Sequence, residues 1–298
     1  DKRIGSTARK IGSKYDWLGA GLSAAALSLT ILTISNPFAF DWISIQIIGG
    51  AILSAALFAM LVWWELRIPD PMLNLRFFQN STFSWSTSTR FLAFLGGSST
   101  FFLMPVFVQS FMGHDQRSAG MIMFVGAVGM GLASQLSGRL SDRYGFRRFT
   151  FIGIGTLIVT NVWFSFFVSD TPLWIVMPVL FANGLGMGMW MAPNMSATLS
   201  TVGRGDLGSM SAFLNLVRNV GTVIGQALAT AIIAGIMLSR GVEVQLNELA
   251  DSTDPNVTGA FLDGWSLTFL VFAAVTAVAL FAAIRTKVYT GDLEPKNS

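Results

Sequence analysis

Apolar residues along this chain gather in eight long runs separated by short polar segments. They neither alternate as in a half-buried strand nor recur as one stripe of a surface helix. A run of about 18 residues or more can cross a bilayer, at roughly 1.5 Å rise per residue and a hydrocarbon core about 30 Å thick. The pattern predicts spans at Trp17–Ser35, Ile43–Leu66, Thr82–Met112, Ser118–Leu140, Arg147–Val168, Leu173–Ser200, Gly208–Ser239 and Phe261–Ile284. Pro105 falls in the third span, and Pro178 and Pro193 in the sixth. Each is expected to bend its helix where neighbouring helices satisfy the freed carbonyls.

The segments between the runs alternate in charge. One side carries Lys2, Arg3, Arg9, Lys10 and Lys14, then Arg67 and Arg76, then Arg139, Arg143, Arg147 and Arg148, then Arg204, and finally Arg285, Lys287 and Lys296. The other side has only Arg117 and Arg240. Positive charge is retained on the cytoplasmic side, so both termini are expected there, in a multi-pass protein of the plasma (inner) membrane. The longest outer loop, Gly241–Gly264, carries Glu243, Glu248, Asp251, Asp254 and Asp263 without a basic residue. Trp17, Trp42, Trp63, Trp64, Trp174 and Trp265 fall near predicted span ends, as an interfacial aromatic belt requires.

Composition narrows the class further. Of 298 residues 52% are apolar and 12% charged, about half the charge of a soluble domain. Basic residues spread among short loops speak against nucleic acid as a partner and for the lipid bilayer. The chain has no cysteine, and its single histidine, His114, lies in a predicted loop. No metal site, cofactor or catalytic nucleophile–base set is expected, and so no enzyme. Residue 1 is an Asp within a basic stretch, and no secretory leader is visible. The chain is expected to lack an N-terminal part.

Between the fourth and fifth runs stands Gly138-Arg139-Leu140-Ser141-Asp142-Arg143-Tyr144-Gly145-Phe146-Arg147-Arg148. Gly138 is expected to let a helix end approach its neighbour, and Gly145 to supply the positive φ of a tight reversal. Asp142 can accept hydrogen bonds at an adjacent helix N-terminus. Arg143, Arg147 and Arg148 can pair with Asp142 or with lipid phosphates. A plain basic loop obeying the charge rule is the alternative reading of the string.

The motif resembles the cytoplasmic signature loop of the major facilitator superfamily. Further stretches resemble its fourteen-span drug:proton antiporters. These are Asp16-Trp17-Leu18-Gly19, Trp64-Glu65 with Pro69-Asp70-Pro71-Met72, Leu75-Arg76-Phe77-Phe78-Gln79-Asn80, Leu103-Met104-Pro105-Val106-Phe107-Val108-Gln109, Gly184-Leu185-Gly186-Met187-Gly188, and Asn215-Leu216-Val217-Arg218-Asn219-Val220-Gly221. Asn219 stands where that family commonly has Gln.

The resemblance implies an all-α polytopic membrane protein with eight transmembrane helices: two linker helices followed by the six-helix C-terminal bundle of the fold. Residues 1–15 would be a cytoplasmic loop, 16–72 the extra hairpin, 73–285 the bundle and 286–298 a cytoplasmic tail. It also implies a gate latched by Asp142 and Arg143, a proton gradient as energy source, and the N-terminal half of the same transporter as a partner. A periplasmic adaptor serves some such proteins; the moderate outer loop leans towards a self-sufficient permease.

Two cations fall inside predicted spans. Arg90 lies roughly 15 Å along the third by helical rise, and Arg218 at similar depth in the seventh. No Asp or Glu falls mid-span. Each arginine either lines a cavity and tunes a proton or substrate site, or bonds to helix carbonyls or snorkels. Asn215, Arg218, Asn219 and Gln226 recur at three- and four-residue steps and so share a helical face; that face borders a cavity, or its amides bond between helices. Met187, Met189, Trp190 and Met191 form either a soft pocket or ordinary packing. Gly184 and Gly188, with Ala192, and Gly221 and Gly225, with Ala229, repeat small residues every four positions, the pattern of close helix contact.

Three functions remain open. The first is proton-coupled efflux of a small amphipathic, cationic substrate. The second is facilitated passage of an anionic or zwitterionic metabolite, favoured by two arginines without an acid. The third is a membrane subunit that transports nothing.

Overall fold

The computed structural model describes residues 16–35, 44–68, 75–203, 207–242 and 254–286. These residues form eight α-helices: α1 (Trp17–Ser35), α2 (Ile45–Glu65), α3 (Ser81–Ser110), α4 (Gln116–Tyr144), α5 (Phe146–Phe164), α6 (Leu173–Leu199), α7 (Leu207–Ser239) and α8 (Pro255–Arg285). A 3-10 turn, Leu75–Gln79, precedes α3. Among the described residues there is no strand. Six of the helices (α2, α3, α4, α6, α7 and α8) are long and apolar enough to cross a membrane. The other two, α1 and α5, have 19 residues each; Arg147 and Arg148 sit in the first turn of α5 and dilute its apolar character. Residues 1–15 and 287–298 lie outside the described residues, as do Trp42 and Arg204.

Helix starts are set by side-chain caps. Asn80 accepts from the backbone N–H groups of Thr82 and Phe83, Asp115 from that of Ser118, and Asp254 from that of Asn256. The last cap corrects the eighth span. With Asp254 at the N-cap and Pro255 in the first turn, α8 begins six residues before the predicted Phe261. An apolar run marks where a helix is buried, whereas cap and proline mark where it begins. The connection between α7 and α8 is shortened accordingly, and Arg240, just past α7, pairs with Asp263, about two turns into α8.

Trp265 is corrected for the same reason. It is no interfacial anchor but fully buried, stacked on Phe107 at 4.6 Å and packed near Phe261 and Phe269. Its indole Nε1 donates to the carbonyl of Phe164, the last residue of α5, at 2.7 Å. That bond satisfies one of the carbonyls a helix leaves open at its end.

The chain divides into two compact units, residues 1–77 and 78–298. In the first, α1 packs on α2. The Thr30 and Ser54 hydroxyls meet between them, and the Asp16 carboxylate accepts from Gly19 N–H and Trp64 Nε1. In the second, α6 packs on α4 and α5, α3 packs on α7 and α8, and α5 meets α8. Exchanging α3, α4 and α5 for α6, α7 and α8 maps this pattern onto itself. Each triplet holds three helices, so two spanning triplets would run in opposite senses through the membrane, the arrangement of inverted repeats.

The equivalent pairs α4–α6 and α7–α3 both close on glycine. A Cβ at Gly184 would overlap the Gly126 carbonyl, and one at Gly188 would overlap the Met130 carbonyl and lie 2.9 Å from Ala133 Cβ. On α7, a Cβ at Gly221 would lie 2.8 Å from the Phe91 carbonyl, and one at Gly225 would overlap that of Leu95. Gly188→Val should therefore cost roughly 1–3 kcal/mol by overpacking, read as a lowered melting temperature of the purified intact protein. Gly131→Ala, on the open side of α4 with nothing near its Cβ position, is the control; equal melting of the two variants would refute the contact.

Candidate functional site

The face of α7 that packs inward consists of Met210, Leu214, Gly221, Gly225, Ala229, Ile233 and Met237. Flanking it, Asn215, Arg218 and Asn219 are exposed, with Gln226 half-buried further along. A hydrocarbon environment does not tolerate a cation and two amides on one helical face. This face of a membrane-spanning helix is built to meet water or further protein.

Arg90 was expected on the same lining and lies behind it instead. It is 3% exposed, between α3 and α7, and its Nε donates to the Leu214 carbonyl at 3.1 Å. Its guanidinium stands 5.2 Å from the Phe94 ring centre. The carbonyl alternative holds for one nitrogen only: Nη1 is buried without a hydrogen-bond partner. Arg218 follows four residues, about one turn, after the Leu214 that Arg90 holds, so the two cations are near one another.

Other in-span amides join helices. Asn161 on α5 donates to the Gly96 carbonyl at 3.2 Å and Thr276 Oγ1 at 3.4 Å, linking α3 and α8. Asn183 donates to Thr160 Oγ1, and Asn194 to the Ser86 carbonyl. Met187 and Trp190 are buried, Trp190 edge-on to Phe94 at 5.1 Å, so both pack within the bundle rather than line an open pocket. The sequence reading passed over the hydroxyl-rich start of α3. Ser86, Thr87 and Thr89 are buried there, and Ser86 meets Thr198 on α6 at 3.0 Å. The signal was available: six of the eight residues from Thr82 to Thr89 carry a hydroxyl.

The predicted basic loop contracts to one residue. Helix α4 continues through Tyr144, α5 starts at Phe146, and Gly145 alone makes the turn at φ 83° and ψ 141°. Gly138 is a correction: it lies inside α4, and nothing stands within 4 Å of its Cβ position. The side chain of Asp142 lies outside the described residues. Arg143 and Arg148 are exposed, Arg143 over the Tyr144 ring at 5.5 Å. Arg147 reaches α8, where its Nη2 donates to the Ile284 carbonyl at 3.0 Å. A cation there complements the negative end of the α8 dipole. Phe146, Phe151 and Ala283, with Thr89, Arg147 and Asn194, line a small, mostly apolar cleft at this end of the bundle. Among the described residues no cluster of three acidic, His or Cys side chains could hold a metal.

The family model of the Major Facilitator Superfamily matches residues 38–226 and 86–297. The chain belongs to this superfamily. It is 28% identical to the uncharacterized MFS-type transporter YhcA of Bacillus subtilis over 83% of its own length and 46% of that protein. It is also 28% identical to Multidrug resistance protein 3 of the same organism, over 71% of its length and 42% of that protein. The chain thus spans about half the length of the curated relatives it matches. The crystal structure of the nucleoside transporter NupG (D323A mutant) superposes with a TM-score of 0.54 at 14% identity, over 94% of this chain and 85% of that one. That likeness concerns fold alone. The chain is an integral, multi-pass membrane protein.

The two glycines of the α4–α5 motif should respond differently to a methyl group. Gly145→Ala forces an L-residue into a glycine backbone region, at roughly 1–3 kcal/mol. Gly138→Ala, in a helix interior with open space, should be neutral or stabilising by roughly 0.5–1 kcal/mol. Thermal melts of the two purified variants check this; the reverse order would mean that the turn lies elsewhere.

Proposed function

We propose that the intact transporter expels small amphipathic, cationic compounds by alternating access, driven by the proton gradient, and that this chain is its C-terminal portion. The observation that carries the reading is the open polar face of α7 on an otherwise apolar bundle. Such a face suits one wall of a water-filled cavity, whose other wall would be the N-terminal half. The resemblance to drug:proton antiporters and the multidrug resistance protein among the relatives support the substrate class. Two glycine-closed helix pairs, related by the internal exchange, supply close-packed surfaces on which the bundle can rock as a unit. At the cytoplasmic side the single-residue turn at Gly145 and the Arg147 bond to α8 would keep the ends of α4, α5 and α8 together while the cavity opens and closes.

Protons moving down their gradient bias the two access states only if proton and drug bind each state with different affinity. Asp263, the ninth residue of α8, is held by Arg240, so the coupling carboxylates are assigned to the portion outside this chain. A second reading, passage of an anionic or zwitterionic metabolite, draws on Arg90 and Arg218.

Ethidium accumulation in pump-deficient cells expressing the intact gene, with and without a protonophore, separates them. Exclusion of the dye that collapses with the protonophore is the expected result. Full accumulation, with the protein verified in the membrane, would sink cationic efflux and leave the anionic reading.

A further inference from the structure

Arg90 and Arg218 form a pair of cations with no carboxylate against either among the described residues. The Leu214 carbonyl that accepts from Arg90 Nε also faces the backbone N–H of Arg218, four residues further along α7. The buried guanidinium therefore abuts the very turn from which Arg218 projects. One Arg90 nitrogen is buried and unpartnered, whereas Arg218 is exposed, as are Asn215 and Asn219 on the same helix. A basic side chain in a bilayer centre costs about 2.5–3.5 kcal/mol by insertion, and a second nearby adds repulsion. Intramembrane charges are retained where a counter-charge or water meets them.

We propose that the Arg90–Arg218 pair is a carboxylate-binding site, entered from the open face of α7. Arg218 contacts the carboxylate directly, the amides of Asn215 and Asn219 flank it, and the fixed charge of Arg90 lies behind. Guanidinium suits this ligand because its planar fork matches the two oxygens. The site rests on reading the α7 face as a cavity wall, but not on the identity of the exported compound. Two sources share the chemistry: a free organic anion in the cavity, or an Asp or Glu of the transporter outside this chain.

The test uses the purified intact transporter, with benzoate as probe and neutral benzamide as control, followed by thermal melting. A ligand that binds only the folded state raises the melting temperature. A rise with benzoate alone, abolished by Arg218→Gln, identifies a site open to free anions. A parent protein indifferent to benzoate, in which Arg218→Gln lowers gradient-driven transport roughly tenfold while Arg218→Lys largely restores it, identifies a carboxylate of the transporter itself. Arg218 is exposed, so neither variant threatens folding. A benzoate shift untouched by Arg218→Gln overturns the site. So does indifference to benzoate combined with unchanged transport, or with a loss that Lys fails to restore. Because the melts need no transported dye, they stand even if ethidium proves not to be a substrate.

Discussion

Close backbone contact between helices is the constraint on which the rest of the bundle depends. Lipid tails are as apolar as leucine, so no hydrophobic force drives one spanning helix against another, and association must come from van der Waals contact and hydrogen bonds. Glycine grants the first and thereby makes the second reachable. Gly153 and Gly186 face one another across α5 and α6, where a Cβ on Gly153 would lie 2.6 Å from the Gly186 carbonyl. Gly96 similarly lets α3 lie against the α8 backbone at Phe272 and Thr276. At that approach the Asn161 amide on α5 reaches both the Gly96 carbonyl and Thr276. A single added methyl group would separate the helices that this amide joins. The Ser137 hydroxyl, which donates to the Gly188 carbonyl at 3.2 Å, depends on the Gly188 contact in the same way.

The aromatic end of the bundle solves a different problem by the same economy of space. Phe107, Phe111, Phe164, Phe167, Phe261, Trp265 and Phe269 pack ring against ring there. The one polar atom that Trp265 carries into this apolar cluster is spent on the carbonyl at the end of α5. Burying an indole N–H without an acceptor costs roughly 1–3 kcal/mol, which the bond to Phe164 avoids. Trp190 leaves its Nε1 unpartnered among the described residues.

Hydropathy made the bundle legible because a spanning helix must be apolar throughout most of its length. It was less informative where the determinants are single polar residues. The start of α8 is written in Asp254 and Pro255, which interrupt no apolar run and so escaped a reading based on such runs. Trp265 was placed at an interface because its distance from the supposed helix start was wrong, not because its chemistry was misjudged. The motif around Gly145 was visible as a string. That its residues would prolong α4 to Tyr144, leaving one glycine as the turn, follows from helix continuation and the positive φ, neither of which spacing reveals. Arg90 and Arg218 were legible as anomalies of charge. That Arg90 is buried and Arg218 exposed was not, since charge along a span does not say which side of the helix packs on its neighbour.

The internal exchange of helices offers a control for interpreting α7. Its counterpart under that exchange is α4, which packs on α6 as α7 packs on α3. Their open faces nevertheless differ. On α4, Met121, Phe124, Val128, Leu132, Leu136 and Leu140 are exposed, with Gln135 and, towards the helix end, Arg139 as polar exceptions. On α7, the exposed residues include Asn215, Arg218 and Asn219 in succession. Polarity at that position is therefore not required to hold six helices together. It is required by whatever the open side of α7 meets, and inside a membrane that is water or further protein, since hydrocarbon offers a cation and two amides no partner.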